Sequence, residues 1–495
     1  MLAASSRAPR RDPKEFFHAC QGSSKPLMTD SPQSMRAFLA CLDRRGELLT
    51  LDARVDVDFE VAACLVEARD GPALCIRRPV RGGAVFDAPI VGNLVNALPR
   101  FATALDCAQR EIQTRLIAAI EHPLQHNVLD AAPCQETVVE SPDIDGLLPV
   151  PRFFEKEDGR YITAGAIVAR DAVTAVTNLS IARVMPLGGS RAFLGIAPNH
   201  HLAVMARAAR ARGDKLDIAV CIGNHPAILV AACLYLGLGE DELPIAGALL
   251  GAPLDVAKCI GSDLLVPAHC ELVLEGKLDA GEAHDEALVS EYHGMYEDYG
   301  AGIVANFSRL TMRRDAMFQV VLPGYHPEHC LMGGVPIAAG LARAARAAVP
   351  GLSEVAVGLG GAGRLHAVVS IASPRPGEAR KAMFAIWAAV NLVKQVIVVD
   401  ADIDPWDPIQ VEWAIATRMR ADEDLIVIPG VRTDRSDPLE RGGVVAKLGI
   451  DATRKASGRS DWTKAEPPEA AVARARDLLR QEIGDIRAGS LRTQR

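Results

Sequence analysis

The pattern of apolar residues changes twice along this 495-residue chain, and those changes constrain its fold. Residues 33–120 alternate helical patterns with short strands, which indicates an α/β unit. From about residue 135, strand-like runs joined by short turns predict an antiparallel sheet or barrel. From residue 335 the alternation of helix and strand returns. The sequence therefore predicts a multidomain chain that combines α+β and α/β parts.

One hydrophobic core rarely serves a chain of this length, so we expect two or three domains. The predicted parts, in chain order, are a disordered leader (1–30), an N-terminal α/β region (31–130), a β-rich domain (131–330), a C-terminal α/β domain (331–465) and a C-terminal helix (466–495). The leader lacks the apolar run of a secretory signal, and a transit peptide is the alternative interpretation. The C-terminal helix is amphipathic, which indicates packing on its own domain or on another subunit.

Charge and apolar runs exclude two classes of partner. Acidic residues outnumber basic ones by 62 to 54, so the chain lacks the basic field that nucleic-acid binding requires. The longest apolar run, at residues 226–238, is shorter than the roughly 20 residues of a membrane-spanning helix. The eleven cysteines are scattered and form no CxxC pair. Together these features predict a cytoplasmic protein with reduced cysteines.

Two short motifs have ordinary explanations. GLGGAG at 358–363 fits a dinucleotide fingerprint, but the segment after it alternates like a strand and carries no acid at the required distance. We therefore expect a glycine-rich hairpin there. HPEH at 326–329 has the histidine spacing of a zinc site, but its proline and the preceding PGY favour a turn. No third ligand lies nearby in the sequence.

Several polar residues stand where a buried structure would have to pair them. Asn178 and Arg183 interrupt the apolar run TNLSIARVM, and each needs a partner if it is buried. Glu286 and Glu291 in DEALVSEYHG are either an exposed acidic loop or the partners of a buried arginine. Asn178, His201 and Glu242 would offer amide oxygen, imidazole and carboxylate, a ligand set suited to Mn²⁺ or Mg²⁺. The sequence alone does not bring them together.

These residues belong to a longer ordered set of motifs. The set consists of TNLSIAR with APNHH, DELPIAGALLG, DLLVPAHCELVLEG, EALVSEYHG, VIVVDADIDPWD and KLGIDATRK. Over about residues 35–460 the chain resembles the UbiD family of reversible decarboxylases. The resemblance implies a central split β-barrel of the flavin-reductase type that binds prenylated FMN, with Mn²⁺ and a neighbouring K⁺ at its phosphate.

The same resemblance assigns roles to individual residues. Asn178, His201 and Glu242 would bind the manganese, with His200 as the alternative imidazole ligand. The flavin would be lined by Ser180, Ile181, Ala182, Arg183 and His200. Lys394 and Lys447 are both candidates for a phosphate contact, and the sequence does not choose between them.

The family's catalytic network would be Arg183, Glu286 and Glu291. The substrate, an aromatic, heteroaromatic or α,β-unsaturated carboxylic acid, would form a covalent adduct with the cofactor and lose CO₂, and Glu291 would protonate the carbon. An apolar pocket is expected to raise the pKa of such a carboxyl toward neutrality. The family also implies a flavin prenyltransferase as the cofactor's supplier, and a homodimer or higher assembly.

Two other functions stay open on the sequence. The GLGGAG motif would suit an NAD-dependent dehydrogenase, which would bind NADH and show no flavin absorbance. A non-catalytic subunit of a carboxylase complex is the second, although intact Arg183, Glu286 and Glu291 argue against it. The direction of the reaction, decarboxylation or carboxylation, also stays open.

Overall fold

The computed structural model of the protein describes residues 30–455 and 465–483. The chain divides after Thr453 into two units, and the second contains a single described helix. The predicted leader, apart from Asp30, lies outside the described residues. None of the helices in the described ranges is long and apolar enough to cross a membrane.

The elements of the described ranges are as follows. The helices are α1 Met35–Arg44, α2 Glu60–Glu67, α3 Leu98–Ala104, α4 Ile112–Glu121, α5 Ile144–Leu147, α6 His201–Ala211, α7 Pro226–Ala232, α8 Glu242–Leu250, α9 Pro327–Arg346, α10 Glu378–Ala389, α11 Pro408–Arg418 and α12 Glu469–Ile483. The strands are β1 Leu48–Asp56, β2 Ala73–Arg81, β3 Ala84–Val85, β4 Ile90–Gly92, β5 Asn127–Leu129, β6 Thr137–Glu140, β7 Ala166–Arg170, β8 Thr177–Ile181, β9 Arg183–Pro186, β10 Arg191–Gly195, β11 Leu216–Ile222, β12 Asp255–Lys258, β13 Leu265–Pro267, β14 Leu272–Ser290, β15 Tyr296–Met312, β16 Phe318–Gln319, β17 Leu352–Ala356, β18 His366–Ile371, β19 Gln395–Asp400, β20 Leu425–Arg432 and β21 Val444–Asp451.

The N-terminal part is a mixed sheet with helices. Its strand order is β1-β2-β4-β16, and β3 pairs with β2. Helix α1 begins after Ser34, whose side chain accepts a hydrogen bond from the Ala37 amide, and it buries Met35, Phe38 and Leu42. Strand β16 follows the central strands in the sequence and pairs with β4, so a segment distant in the sequence completes the N-terminal sheet. A three-stranded sheet, β13-β12-β5, lies in the same unit.

The central part is an eight-stranded antiparallel sheet, which confirms the sheet predicted from residue 135. Its order is β8-β7-β11-β14-β15-β10-β9, with β6 paired to β15. The end strands β8 and β9 follow one another in the chain through Ala182, but they are not hydrogen-bonded to each other. The described strands therefore form no closed barrel, and the split barrel stays a prediction.

The C-terminal part is a five-stranded sheet with α9, α10 and α11. Its order is β17-β18-β19-β21-β20, and β19 is parallel to both its neighbours. The GLGGAG segment joins the antiparallel strands β17 and β18, as the hairpin prediction requires. The turn expected at HPEH is wrong, because α9 begins at Pro327. His326 caps this helix, and proline suits a first helical position, where the missing amide has no intrahelical partner.

The predicted C-terminal helix is present as α12 in the second unit. Leu478 and Leu479 on it are 52% and 42% exposed, so the helix leaves apolar side chains uncovered within its own unit. Its role as a subunit contact stays a prediction.

Candidate active site

A cavity of about 350 Å³ lies among strand β8, the first residues of α6 and α8, the end of α7, helix α9, and the loops that carry Arg364 and Asp434. Of the residues predicted to bind the cofactor, Asn178, Ser180, Ile181, His200, His201 and Glu242 line it. Ala182, which is buried, and Arg183, which is half-buried, do not line it. The cavity therefore gathers the polar residues of three motifs that are up to 64 residues apart in the chain.

Asn178, His201 and Glu242 converge at one wall of this cavity. Asn178 Nδ2 lies 3.2 Å from Glu242 Oε1 and 3.4 Å from His201 Nδ1. Glu242 Oε2 accepts a hydrogen bond of 2.7 Å from the Leu179 amide. His201 and Glu242 are the first residues of α6 and α8. The capping hydrogen bonds made by the preceding residues, His200 and Asp241, fix the backbone positions that carry these two side chains.

Three observations show that this cluster suits a divalent cation. Asn178 Oδ1 is buried and has no hydrogen-bond partner. Burial raises the pKa of Glu242 to about 8, so an adjacent positive charge would stabilise its ionised form. Burial also lowers the pKa of His201, which keeps the imidazole neutral and able to bind metal. The residues thus fit the predicted manganese ligands.

The two adjacent histidines have different contacts. His201 contacts Asn178, whereas His200 is the cap of α6 and its Nδ1 accepts a hydrogen bond from the Leu202 amide at 3.3 Å. Burial lowers the pKa of His200 to about 4. His201 is therefore the histidine placed beside the other two candidate ligands, and His200 holds the helix start.

Arg183 and Glu286 form a buried two-point pair. Arg183 Nε donates to Glu286 Oε1 at 2.8 Å, and Nη2 donates to Oε2. The Glu286 side chain is fully buried, while that of Arg183 is 20% exposed. Strand register explains the meeting, because Glu286 on β14 pairs with Gly300 on β15, and β15 is joined through β10 to β9. The alternative of an exposed acidic loop is wrong for Glu286.

A glycine makes room for this pair. Gly195 on β10 is the register partner of Arg183, and a Cβ added to it would lie 2.5 Å from Arg183 Cζ. We expect Gly195→Ala to displace the guanidinium from Glu286 and to cost about 1–3 kcal/mol of unfolding free energy. Melting curves and the crystal structure of the variant would check this. Gly360→Ala is the matched control, since a Cβ there meets nothing within 4 Å, and an unchanged Arg183 in Gly195→Ala would contradict the expectation.

Glu291 is held by other groups than Arg183. It begins the loop that joins β14 to β15, and its Oε2 accepts a hydrogen bond of 2.6 Å from the Tyr299 hydroxyl. Its Oε1 accepts one of 2.9 Å from the Tyr292 amide. The sequence suggested that Arg183 would bind both acids, but in the described residues its hydrogen bonds go to Glu286 alone.

The charge state of Glu291 also differs from the expectation. Burial acts to raise the pKa of Glu291, but the hydrogen bond from Tyr299, the nearby His329, the Tyr292 amide and the charge of Arg183 outweigh it. The pKa of Glu291 therefore lies below its ordinary value, where the sequence predicted a raised one. The polar neighbours on the hairpin and on α9 cause this difference.

The two candidate phosphate lysines are engaged elsewhere. Lys394 Nζ donates to Asp437 at 2.9 Å, and the buried Lys447 donates to the carbonyl oxygens of Asn391 and Val393. Neither lines the cavity.

The arginine or lysine that does line the cavity is Arg364. It makes no ion pair with any described residue. Its guanidinium fills the space that a Cβ on Gly333 would need, and it lies near the Tyr292 ring. Sequence reasoning missed Arg364, because a lone arginine after a glycine-rich turn carries no pattern.

Models of known sequence families match this chain. Three sequence models match in order, described as the N-terminal, Rift-related and C-terminal domains of 3-octaprenyl-4-hydroxybenzoate carboxy-lyase, over residues 39–120, 126–326 and 330–452. The chain belongs to the UbiD family of carboxy-lyases. The anhydromevalonate phosphate decarboxylase of Methanothermobacter thermautotrophicus is 34% identical to this UbiD-family chain over 422 residues, covering 85% of it and 96% of the relative.

Solved structures of the family agree with the fold. The UbiD-class enzyme HmfF from Pelotomaculum thermopropionicum, in complex with FMN, superposes with a TM-score of 0.85 at 35% identity and covers 90% of this chain and 100% of its own. An evolved dimeric form of HmfF in complex with prFMN gives 0.81 at 33% identity, covering 89% and 98%. The multidomain UbiD-like fold is thereby confirmed.

Proposed function

We propose that this UbiD-family chain is a decarboxylase that uses prenylated FMN and acts without net oxidation on an aromatic, heteroaromatic or α,β-unsaturated carboxylic acid. The observation that supports this most is that the Asn178, His201 and Glu242 cluster and the Arg183–Glu286 pair lie at the two ends of one short segment, residues 178–183. One end suits a metal-held phosphate, and the other suits acid–base chemistry.

The cavity supports this proposal because it offers a place for the cofactor. Asn178, His201 and Glu242 would hold Mn²⁺ at the flavin phosphate, with K⁺ nearby, and Ser180, Ile181 and His200 would line the flavin. Ser180 Oγ is buried without a partner, which leaves it free for such a ligand. Arg364 would supply a fixed positive charge for an anionic group. The open sheet of β8 to β9 would then be the family's split barrel.

The chemistry divides between cofactor and chain. When bound, prenylated FMN supplies an electron sink for the electron pair that departing CO₂ leaves on an sp² carbon. Arg183 uses Nε and Nη2 for Glu286, so Nη1 is left for the substrate carboxylate. Glu291, once protonated from solvent, passes its proton to the carbon that lost CO₂. Closure of the C-terminal part over the cavity would exclude water.

The dehydrogenase alternative has less support. A dinucleotide fingerprint needs a strand, a tight glycine turn and then a helix whose N-terminus meets the pyrophosphate. Here residues 358–363 join two antiparallel strands through a single 3₁₀ turn, Leu359–Gly361, and no α-helix begins there. The intact Arg183–Glu286 pair likewise argues against a non-catalytic subunit.

The proposal is tested by loading and by turnover. The chain would be co-expressed with a flavin prenyltransferase, purified and examined for flavin absorbance, manganese content and NADH binding. The loaded protein would then be incubated with unsaturated and aromatic acids, including anhydromevalonate phosphate, the compound in the name of the Methanothermobacter relative, and mass spectrometry would detect loss of CO₂. Assays in concentrated bicarbonate would test the reverse reaction. Absence of flavin from the purified protein, or NADH binding in its place, would count against the proposal.

Removal of one ligand tests the metal assignment. We expect His201→Ala to lose most of its manganese, about a tenfold or greater loss of affinity, because the remaining amide and carboxylate leave the cation under-coordinated. Elemental analysis and flavin retention on gel filtration would measure this. His122→Ala, at an exposed histidine, is the control. Equal manganese in both variants would exclude His201 as a ligand.

A further inference from the structure

Tyr299 contacts the proposed proton donor directly. Strands β14 and β15 form a long hairpin whose last pair is Ser290 and Tyr296, so Glu291 is the first residue of the connecting loop. Tyr299 stands three residues into the returning strand, and its hydroxyl donates to Glu291 Oε2 at 2.6 Å. With the Tyr292 amide on Oε1, both carboxylate oxygens have a donor. This fixes the rotation of the carboxyl group as well as its position.

Two arginines hold the Tyr299 ring. The guanidinium carbon of Arg183 lies 5.4 Å from the ring centroid, and that of Arg435 lies 4.6 Å from it. Both distances are within the range of cation–π attraction. Arg435 comes from the C-terminal part, and the next residue, Ser436, accepts a hydrogen bond of 2.8 Å from the Tyr292 hydroxyl. The ring therefore connects the Arg183–Glu286 pair, the Glu291 loop and the C-terminal part.

The titratable and charged groups that act on Glu291 lie on three elements. They are Arg183 on β9, Tyr299 on β15 and His329 on α9, whose pKa burial lowers to about 4. Glu286 neutralises Arg183, Arg364 faces His329, and Glu297 faces Tyr299. Burial and the adjacent carboxylates raise the pKa of Tyr299, so its hydroxyl keeps its proton and acts only as a donor. A hydroxyl donor favours the ionised carboxylate over the protonated acid.

We propose that Tyr299 is a positioning residue of this reaction: its hydroxyl orients Glu291 and stabilises the carboxylate that remains after the proton has passed to carbon. In that step the Glu291 O–H bond breaks, a C–H bond forms, and solvent later returns the proton. The inference rests on Glu291 as the proton donor of the proposed function. Its first test does not depend on turnover.

The first test measures the titration of Glu291 in the cofactor-free chain. Infrared spectra of ¹³C-glutamate-labelled protein, with Glu291→Gln as the blank, isolate this one carboxyl group. Tyr299→Phe keeps the ring and its arginine contacts, and we expect it to raise the pKa of Glu291 by about one unit or more. Fluorotyrosine at position 299, a stronger donor, should shift it the opposite way. If Glu291 titrated identically in the wild type, in Tyr299→Phe and in the fluorotyrosine protein, the proposal would be overturned.

The second test uses the loaded enzyme and a substrate found in the turnover screen. We expect Tyr299→Phe to lower kcat about tenfold or more with little change in KM, and to move the loss of activity at high pH upward. Tyr296→Phe is the matched control, because its hydroxyl accepts a hydrogen bond from the Lys156 amide and has none with Glu291 among the described residues. If kcat fell but the pH profile did not change, Tyr299 would have only a structural role and the proposal would be wrong. A shifted titration without any decarboxylation would instead contradict the proposed function.

Discussion

Glu291→Gln is expected to abolish decarboxylation while leaving the flavin bound. The amide keeps the size of the side chain and its contact with the Tyr292 amide, but it has no acidic proton to give to carbon. Loss of a general acid typically costs about 10²–10⁴-fold in rate. Because the proton donor must be protonated before it acts, wild-type activity should fall as pH rises, and any residual activity of the variant should not show that fall. Product formation followed by mass spectrometry against pH would measure both effects.

A second acidic residue on the same hairpin provides the control. Glu282 pairs with Arg191 and has no hydrogen bond to Glu291, so Glu282→Gln should retain turnover and its pH profile. Flavin absorbance must be equal in the three proteins. Turnover by Glu291→Gln within a factor of a few of wild type would show that another group, or solvent, delivers the proton.

The sequence could predict those parts of the site in which the residue type itself determines the chemistry. Asn178, His201 and Glu242 offer ligand atoms wherever they meet, and the ordered motifs indicated that they would meet. Arg183 and Glu286 were likewise predictable, because a buried guanidinium requires an acid. In each case the residue's own chemistry demanded a partner, and the fold supplied it.

The parts that sequence missed depend on strand register and on caps. Tyr299 reaches Glu291 only because β14 and β15 are paired so that Glu286 faces Gly300, and a slip of one residue would turn its side chain to the other face. The same contact explains why the pKa of Glu291 is lowered, where a purely apolar pocket would raise it. The turn predicted at HPEH is wrong because a proline that favours a turn suits a helix start equally well. Local patterns do not distinguish these outcomes.

Arg183→Ala is expected to lose activity and stability together. Glu286 would keep a fully buried carboxylate with its guanidinium removed, and the Tyr299 ring would lose one of its two cationic neighbours. Breaking a buried pair on one side typically costs 3–5 kcal/mol, and the 20% exposure of Arg183 places this case at about 3 kcal/mol, since water can partly fill the gap. Thermal unfolding and flavin retention would be measured beside turnover.

The double variant Arg183→Ala with Glu286→Gln separates the two losses. Removing the uncompensated negative charge should restore about 1–2 kcal/mol of the lost stability, because a neutral amide is cheaper to bury than an unpaired carboxylate. It should restore no turnover, since no guanidinium is then present to bind the substrate carboxylate. If the double variant were no more stable than Arg183→Ala, the buried charge would not be the cause of the instability. If either variant turned over substrate at the wild-type rate, Arg183 would have no part in the reaction.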